Sequence, residues 1–186
     1  VASPRRQTAI KPTPKYDSPL WLCNHRHWRS GSVARDNSSQ SALKILVAED
    51  SSSDVFIISR GLTEFDQRCR VTAVNDGEAL LEALGLDSPG QALNVPDLII
   101  IDLYMPKLYG LQALKVIKRE PQLAGVPCIM ISSYATASDR REAARLGAAG
   151  FFDKPESLAD FRKNIRSIES ILLRSDSRRA DCHCGS

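Results

Sequence analysis

Glu49-Asp50, Asp102 and Lys154 each stand at the end of a short apolar run. Lys44-Ile45-Leu46-Val47-Ala48 leads into Glu49-Asp50, Asp97-Leu98-Ile99-Ile100-Ile101 into Asp102, and Phe151-Phe152-Asp153 into Lys154-Pro155. A continuous apolar run of this length reads as a strand buried on both faces of a parallel sheet. Ligands of such sheets bind beyond the carboxyl ends of the strands. Three carboxylates gathered there repel one another, so the site needs a cation or must keep some of its protons. With oxygen donors only, and neither His nor Cys nearby, the matching cation is Mg²⁺. The lysine adds a point charge suited to a phosphoryl oxygen. This combination predicts a site that accepts a phosphoryl group.

The elements that must position these residues follow from the alternation of patterns after Leu43. Strands are predicted at 44–48, 69–74, 97–101, 127–131 and 149–153, and helices at 53–65, 77–86, 110–119, 138–146 and 157–173. Asp76 is placed to cap the second helix and Ser138 the fourth. Pro121 closes the third helix, and Gly147 ends the fourth as a glycine just past the last turn. Five strand–helix units imply a parallel sheet with right-handed crossovers.

On these residues the segment from about Leu43 to Leu173, about 70% of the chain, resembles the response-regulator receiver domain of two-component signalling. The resemblance rests on Glu49-Asp50, Asp102, Met105-Pro106 with Gly110, Ser132 and Lys154-Pro155. Asp102 lies 52 residues after Asp50, and Lys154 a further 52 after Asp102. The expected fold is α/β, a flavodoxin-like doubly wound (βα)5 with sheet order 2-1-3-4-5. That order sets strands one and three side by side, bringing Glu49, Asp50 and Asp102 together.

The resemblance also implies roles. Asp102 would take the phosphoryl group from a phosphohistidine on a sensor histidine kinase or phosphotransfer protein. Asp50, Asp102 and the backbone carbonyl of Tyr104 would hold Mg²⁺, with Glu49 holding waters of its coordination shell. Lys154 would bind Asp102 before transfer and a phosphoryl oxygen afterwards, aimed by a Lys154–Pro155 bond that is often cis in the family. Ser132 would act as the switch hydroxyl and Phe151 as the aromatic that moves with it. Apart from its own phosphoryl transfer and dephosphorylation, such a chain is not an enzyme. Two departures stand out. Tyr109 precedes Gly110 where many receivers carry an acid, and Tyr104 is bulky beside the site. A phosphorylation-independent pseudo-receiver scaffold is the competing reading, although such proteins normally lack part of the acidic and lysine set that is complete here.

Charge and cysteine content bound the rest. Residues 1–41 carry seven Lys/Arg against two Asp, and the remainder 18 Lys/Arg against 20 Asp/Glu, so the net +3 belongs to the N-terminal segment. That segment, rich in Pro and Ser and without apolar periodicity, is expected to be a disordered basic extension. Its arginines and two tryptophans are weak grounds for nucleic-acid binding. Residues 42–173 form the expected domain and 174–186 a flexible tail, too short for an output domain; this suggests a stand-alone regulator. The Gly85–Pro96 connection and the Glu120–Pro127 stretch resemble single-domain regulators partnered with phytochrome-type or hybrid kinases. Receivers commonly dimerise through the fourth helix, fifth strand and fifth helix, so a homodimer is expected. No apolar run approaches the ~18 residues of a membrane helix, and no apolar segment follows the N-terminal arginines as a secretory signal would require. Five cysteines, two of them inside predicted strands, fit a reduced, cytoplasmic setting. Cys23, His25, His27, Cys182, His183 and Cys184 do not match zinc-ligand spacings and are read as unrelated.

Overall fold

A computed structural model describes residues 42–88 and 90–181, with side chains to Leu172. In chain order the elements are β1 (Leu43–Ala48), α1 (Ser52–Phe65), β2 (Cys69–Val74), α2 (Gly77–Leu84), β3 (Leu98–Asp102), α3 (Gly110–Arg119), α4 (Pro121–Ala124), β4 (Cys128–Ser132), α5 (Ala137–Arg145), β5 (Gly150–Asp153) and α6 (Leu158–Asp181). The five strands form one sheet in the order β2-β1-β3-β4-β5. Every neighbouring pair is parallel. This is the flavodoxin-like arrangement the sequence predicted.

Strand side chains alternate between two cores. Ile45, Val47, Leu98, Ile100, Ile129 and Ile131 face a cluster with Ile58 and Leu62 of α1 and Phe161, Ile168 and Leu172 of α6. Leu46, Ala48, Ile99, Ile101 and Met130 face Leu80 and Leu84 of α2 and Leu114 and Ile117 of α3. A strand covered on both faces has no position for a polar residue, hence the unbroken apolar runs. Polarity returns only where the strands leave the cores, at their carboxyl ends.

The register converts this into a site. Ala48 pairs with Ile101, so Glu49 comes level with Asp102. Asp102 pairs with Ile131 and Ser132 with Asp153, which sets Lys154 just past the end of β5. Gly110 brings α3 onto the site: a Cβ there would lie 2.2 Å from the carbonyl oxygen of Asp102, so the helix closes on β3 only with glycine at this position.

Several boundaries differ from expectation. Pro121 does more than close α3. It opens the short α4 at its first position, where its missing N–H costs nothing. The cap of α5 is Thr136, two residues before the expected Ser138: its hydroxyl accepts from the Asp139 amide at 3.2 Å, and the Asp139 carboxylate accepts from the Thr136 amide at 2.9 Å. This reciprocal pair satisfies two end amides at once, which Ser138 alone would not. Helix α2 ends at Leu84, where Gly85 turns left-handed with φ 78°. Helix α6 continues to Asp181, past the expected 173, because neither Gly nor Pro punctuates 174–181. Asp76 caps α2 as expected, accepting from the Ala79 amide at 2.8 Å. Among the described residues there is no cis peptide, so the Lys154–Pro155 bond is trans. Residues 1–41 and 182–186, with their histidines, tryptophans and three cysteines, lie outside the described residues.

Candidate functional site

Lys154 lies at the centre of the site. Its Nζ is 2.8 Å from Glu49 Oε1, 2.9 Å from Asp102 Oδ2 and 3.2 Å from Asp54 Oδ2. The Lys154 amide donates to the Ser132 carbonyl at 3.2 Å, which fixes the residue to the end of β4. Glu49 and Asp102 are buried at 2% exposure each, whereas Asp50, one residue beyond Glu49, is exposed. Carboxylate oxygens of Glu49, Asp50 and Asp102 all lie within 4.8 Å of one another. Sequence and structure therefore agree in bringing Glu49, Asp50, Asp102 and Lys154 together.

The electrostatics follow from burial and from a shortage of cations. Removal from water disfavours a charged carboxylate. Burial, with the charge of Asp102 nearby, pushes Glu49 up to about 7 despite its bond to Lys154. Burial also raises Asp102, reinforced by Asp50 and opposed by Lys154 and the Tyr104 amide. Burial acts against the Lys154 charge, but its bonds to Glu49 and Asp102 more than offset this and hold it above its ordinary value. The lysine is thus firmly an ammonium, while Glu49 titrates near neutrality.

Two buried oxygens, Glu49 Oε2 and Asp102 Oδ1, have no hydrogen-bond partner. An unpartnered buried acceptor is costly. Both belong to carboxylates that contact Lys154 through their other oxygen, and both carboxylates lie beside Asp50. An oxygen-only donor set with two unsatisfied buried acceptors and one exposed carboxylate fits a hard divalent cation such as Mg²⁺.

Ser132 is fully buried, and its hydroxyl accepts from the Tyr134 amide at 3.2 Å. Phe151 is half-buried against the α2–α3 core. The guanidinium carbon of Arg140 lies 4.6 Å from its ring centroid. Tyr104 is 47% exposed and meets Tyr109 edge-on, with ring centroids 5.5 Å apart. Burial and bonds to Tyr104 and Asp139 push the Tyr109 phenol up to about 12. Tyr109 thus links the β3–α3 loop to the start of α5, in place of the acidic residue many receivers carry there.

Asp54 and Arg140 went unread in the sequence. Asp54, in the first turn of α1, reads in the sequence only as an acid at a helix start, and the fold is what turns it toward Lys154. Arg140 had no signal, because its partners Phe151 and Asp153 are reached only through the packing of α5 on β5.

Residues 45–166 match the response regulator receiver domain. The two-component response regulator ARR7 of Arabidopsis thaliana is 34% identical over 139 residues, a match covering 73% of this chain and 65% of that relative. Among solved structures, the phosphorylated cyanobacterial phytochrome response regulator RcpA superposes with a TM-score of 0.63 at 26% identity, covering 72% of this chain and 95% of RcpA. The Mn²⁺-bound form of response regulator Rcp1 gives 0.60 at 26% identity, over 69% and 92%.

Proposed function

The chain belongs to the response regulator receiver domain family, and we propose that its Asp102 accepts a phosphoryl group from a phosphohistidine on a sensor histidine kinase or phosphotransfer protein. One observation carries this reading. Lys154 bridges Glu49 and Asp102 through one oxygen of each, while the second oxygen of each is buried without a partner beside Asp50. That leaves Asp102 oriented by a cation through one oxygen, with its other oxygen unpartnered beside the carboxylates suited to a metal.

In the proposed step an Asp102 oxygen attacks phosphorus and forms a P–O bond. The P–N bond to the donor imidazole breaks, and its electron pair stays on the ring nitrogen. Such transfer depends on in-line placement and charge neutralisation more than on covalent assistance. Asp50, Asp102 and the Tyr104 carbonyl would hold Mg²⁺, with Glu49 holding waters of its shell, and the ion when bound neutralises developing charge on the phosphoryl oxygens. Lys154 passes from the Asp102 carboxylate to a phosphoryl oxygen. The Ser132 hydroxyl, which accepts from Tyr134 but keeps its own proton free to donate, turns to the same group. Phe151, with Arg140 against its ring, would follow Ser132 and alter the surface formed by α5, β5 and α6. The Mn²⁺-bound form of Rcp1 and the phosphorylated form of RcpA lend both parts of this reading support by similarity.

The same proposal takes residues 42–173 as the receiver, 1–41 as a basic extension and the α5–β5–α6 surface as a homodimer contact. Sedimentation with and without a phosphoryl mimic tests the dimer; a monomer in both states refutes it. Among the described residues no helix is long and apolar enough to cross a membrane, and Cys69 and Cys128 are free thiols; the cytoplasmic setting is part of the proposal.

Intact mass after incubation with a small phosphodonor and Mg²⁺, beside Asp102→Asn, is the test. One added phosphoryl group on the wild type, lost with EDTA and in the variant, is the expected result. A folded, Mg²⁺-binding protein that takes no phosphoryl group from the donor or a kinase would instead favour a phosphorylation-independent adaptor.

A further inference from the structure

Resting on the phosphoryl-accepting reading of Asp102, we propose that Asp54 is an additional positioning residue of this site. In the unphosphorylated protein it shares the Lys154 ammonium, and it is the arm that yields when a phosphoryl group arrives. Its charge therefore limits how strongly the site holds that group.

An ammonium has three N–H donors and no acceptor. At Lys154 three carboxylates lie within ion-pair distance: Glu49 at 2.8 Å, Asp102 at 2.9 Å and Asp54 at 3.2 Å. Two of its donors make hydrogen bonds, to Glu49 and Asp102, and Asp54 is drawn in by charge at ion-pair distance. When the Asp102 carboxylate becomes an acyl phosphate, a single negative charge is replaced by a more highly charged group with stronger claims on the ammonium. The weakest of the three attractions then gives way.

Burial decides which. The side chains of Glu49 and Asp102 are 0% and 3% exposed, whereas that of Asp54 is 24% exposed. A buried carboxylate released from its cation has no solvent to turn to, while Asp54 is hydrated where it stands. Its contact is also the longest of the three. The turn that carries it is fixed, because its amide donates to the Ser51 hydroxyl at 3.3 Å. Asp54 thus remains beside Lys154 after it loses its share of the charge and stands as an uncompensated negative group facing the phosphoryl position. Like charges at such range disfavour each other.

The experiment titrates the full-length protein, at saturating Mg²⁺, with beryllofluoride, which binds a carboxylate oxygen as a phosphoryl group does. Asp54→Asn is expected to bind it about three- to tenfold more tightly, the scale of one nearby like charge. Asp54→Ser should behave alike, and Asp54→Glu should return toward wild type. Asp153→Asn, which removes a neighbouring acid paired with Arg140 instead, serves as the control for bulk charge and should leave the affinity unchanged. Equal or weaker binding by both neutral variants overturns the proposal, as does an equal gain with Asp153→Asn. Failure of the wild type itself to bind overturns the reading of Asp102 on which it rests.

Discussion

The guanidinium carbon of Arg140 lies 4.6 Å from the ring centroid of Phe151, and the same side chain reaches Asp153 at 2.5 Å. Phe151 and Asp153 are two residues apart on β5, so they share a face of the strand and one arginine from α5 spans both. The contact joins the strand end that carries Lys154 to the helix that opens beyond Ser132. A cation over an aromatic face contributes about 0.5–1 kcal/mol where water has access, and an exposed ion pair roughly 0–1 kcal/mol. Arg140→Ala should therefore lower unfolding stability by about 1 kcal/mol in urea titration. In a double-mutant cycle, Arg140→Ala and Phe151→Leu should couple by at least 0.5 kcal/mol, roughly the low end of that cation–π range; strictly additive effects would deny the contact a role in holding Phe151.

Lys154 has a larger effect, because it compensates charges that water does not reach. Removing one partner of a buried ion pair costs roughly 3–5 kcal/mol. At pH 8 without metal, Lys154→Met should fall in that range. At pH 5 the loss should shrink, since Glu49 and Asp102 can then take up protons. Chemical denaturation at the two pH values checks this, and a loss independent of pH would mean that side-chain packing, not charge, explains the effect.

The parts of this site that were legible in the sequence share one cause. Strands buried on both faces exclude polar residues, so the first acid after each apolar run marks where the sheet ends. Glu49 and Asp102 were readable for that reason, and Lys154 from its place just past the last strand. The strand order set them side by side, and the register brought Glu49 level with Asp102. Features outside the strands were less legible. Asp54 reads equally well as an acid that favours a helix N-terminus, and only the fold shows that this turn faces Lys154. The Thr136–Asp139 capping box was present as a pattern, but Ser138 competes for the same role in a polar stretch. Pro121 signals both an end and a beginning, and the sequence does not say which. Arg140 is joined to Phe151 by tertiary packing alone.

Gly110 offers a steric test of the site. An added Cβ would meet the carbonyl oxygen of Asp102 at 2.2 Å, and that oxygen belongs to backbone, which cannot swing away as a side chain can. Overpacking of this kind typically costs roughly 1–3 kcal/mol. Gly110→Ala should destabilise by at least that amount and weaken Mg²⁺ binding by displacing Asp102. Calorimetry with and without Mg²⁺ separates the two effects. A normal melting temperature would show that α3 shifts to accommodate the methyl group at little cost.

Tyr104 sits two residues past Asp102, half exposed and edge-on to Tyr109. On the proposed function, the ring held there would shield an acyl phosphate on Asp102 from attacking water. Tyr104→Ala should shorten the phosphoryl lifetime on Asp102 several-fold, followed by intact mass after removal of the donor. Tyr109→Phe keeps the ring but removes the hydroxyl that bonds Tyr104 and Asp139, and should have a smaller effect. Equal lifetimes for Tyr104→Ala and wild type would dismiss the shielding role.

Glu49 makes stability depend on pH in an unusual direction. Most paired carboxylates have lowered values and stabilise a protein as pH rises. Burial instead raises Glu49 from 4.5 to about 7. Between those values the folded protein keeps a proton that the unfolded chain has already released. Stability therefore falls as pH rises through this window, because the native state binds more protons. Asp102, raised by burial as well, acts in the same sense. In EDTA, the unfolding free energy should be greatest near pH 4.5 as far as Glu49 is concerned and decline by roughly 1–3 kcal/mol toward pH 7, its share of the linkage. Glu49→Gln, which cannot titrate, should flatten this decline. Saturating Mg²⁺ should reverse the slope, because a cation favours the carboxylate over the acid and its binding releases the proton. A slope identical in wild type and Glu49→Gln would place the titrating group elsewhere. A slope that Mg²⁺ leaves untouched would mean that the two unpartnered oxygens are not where the metal binds.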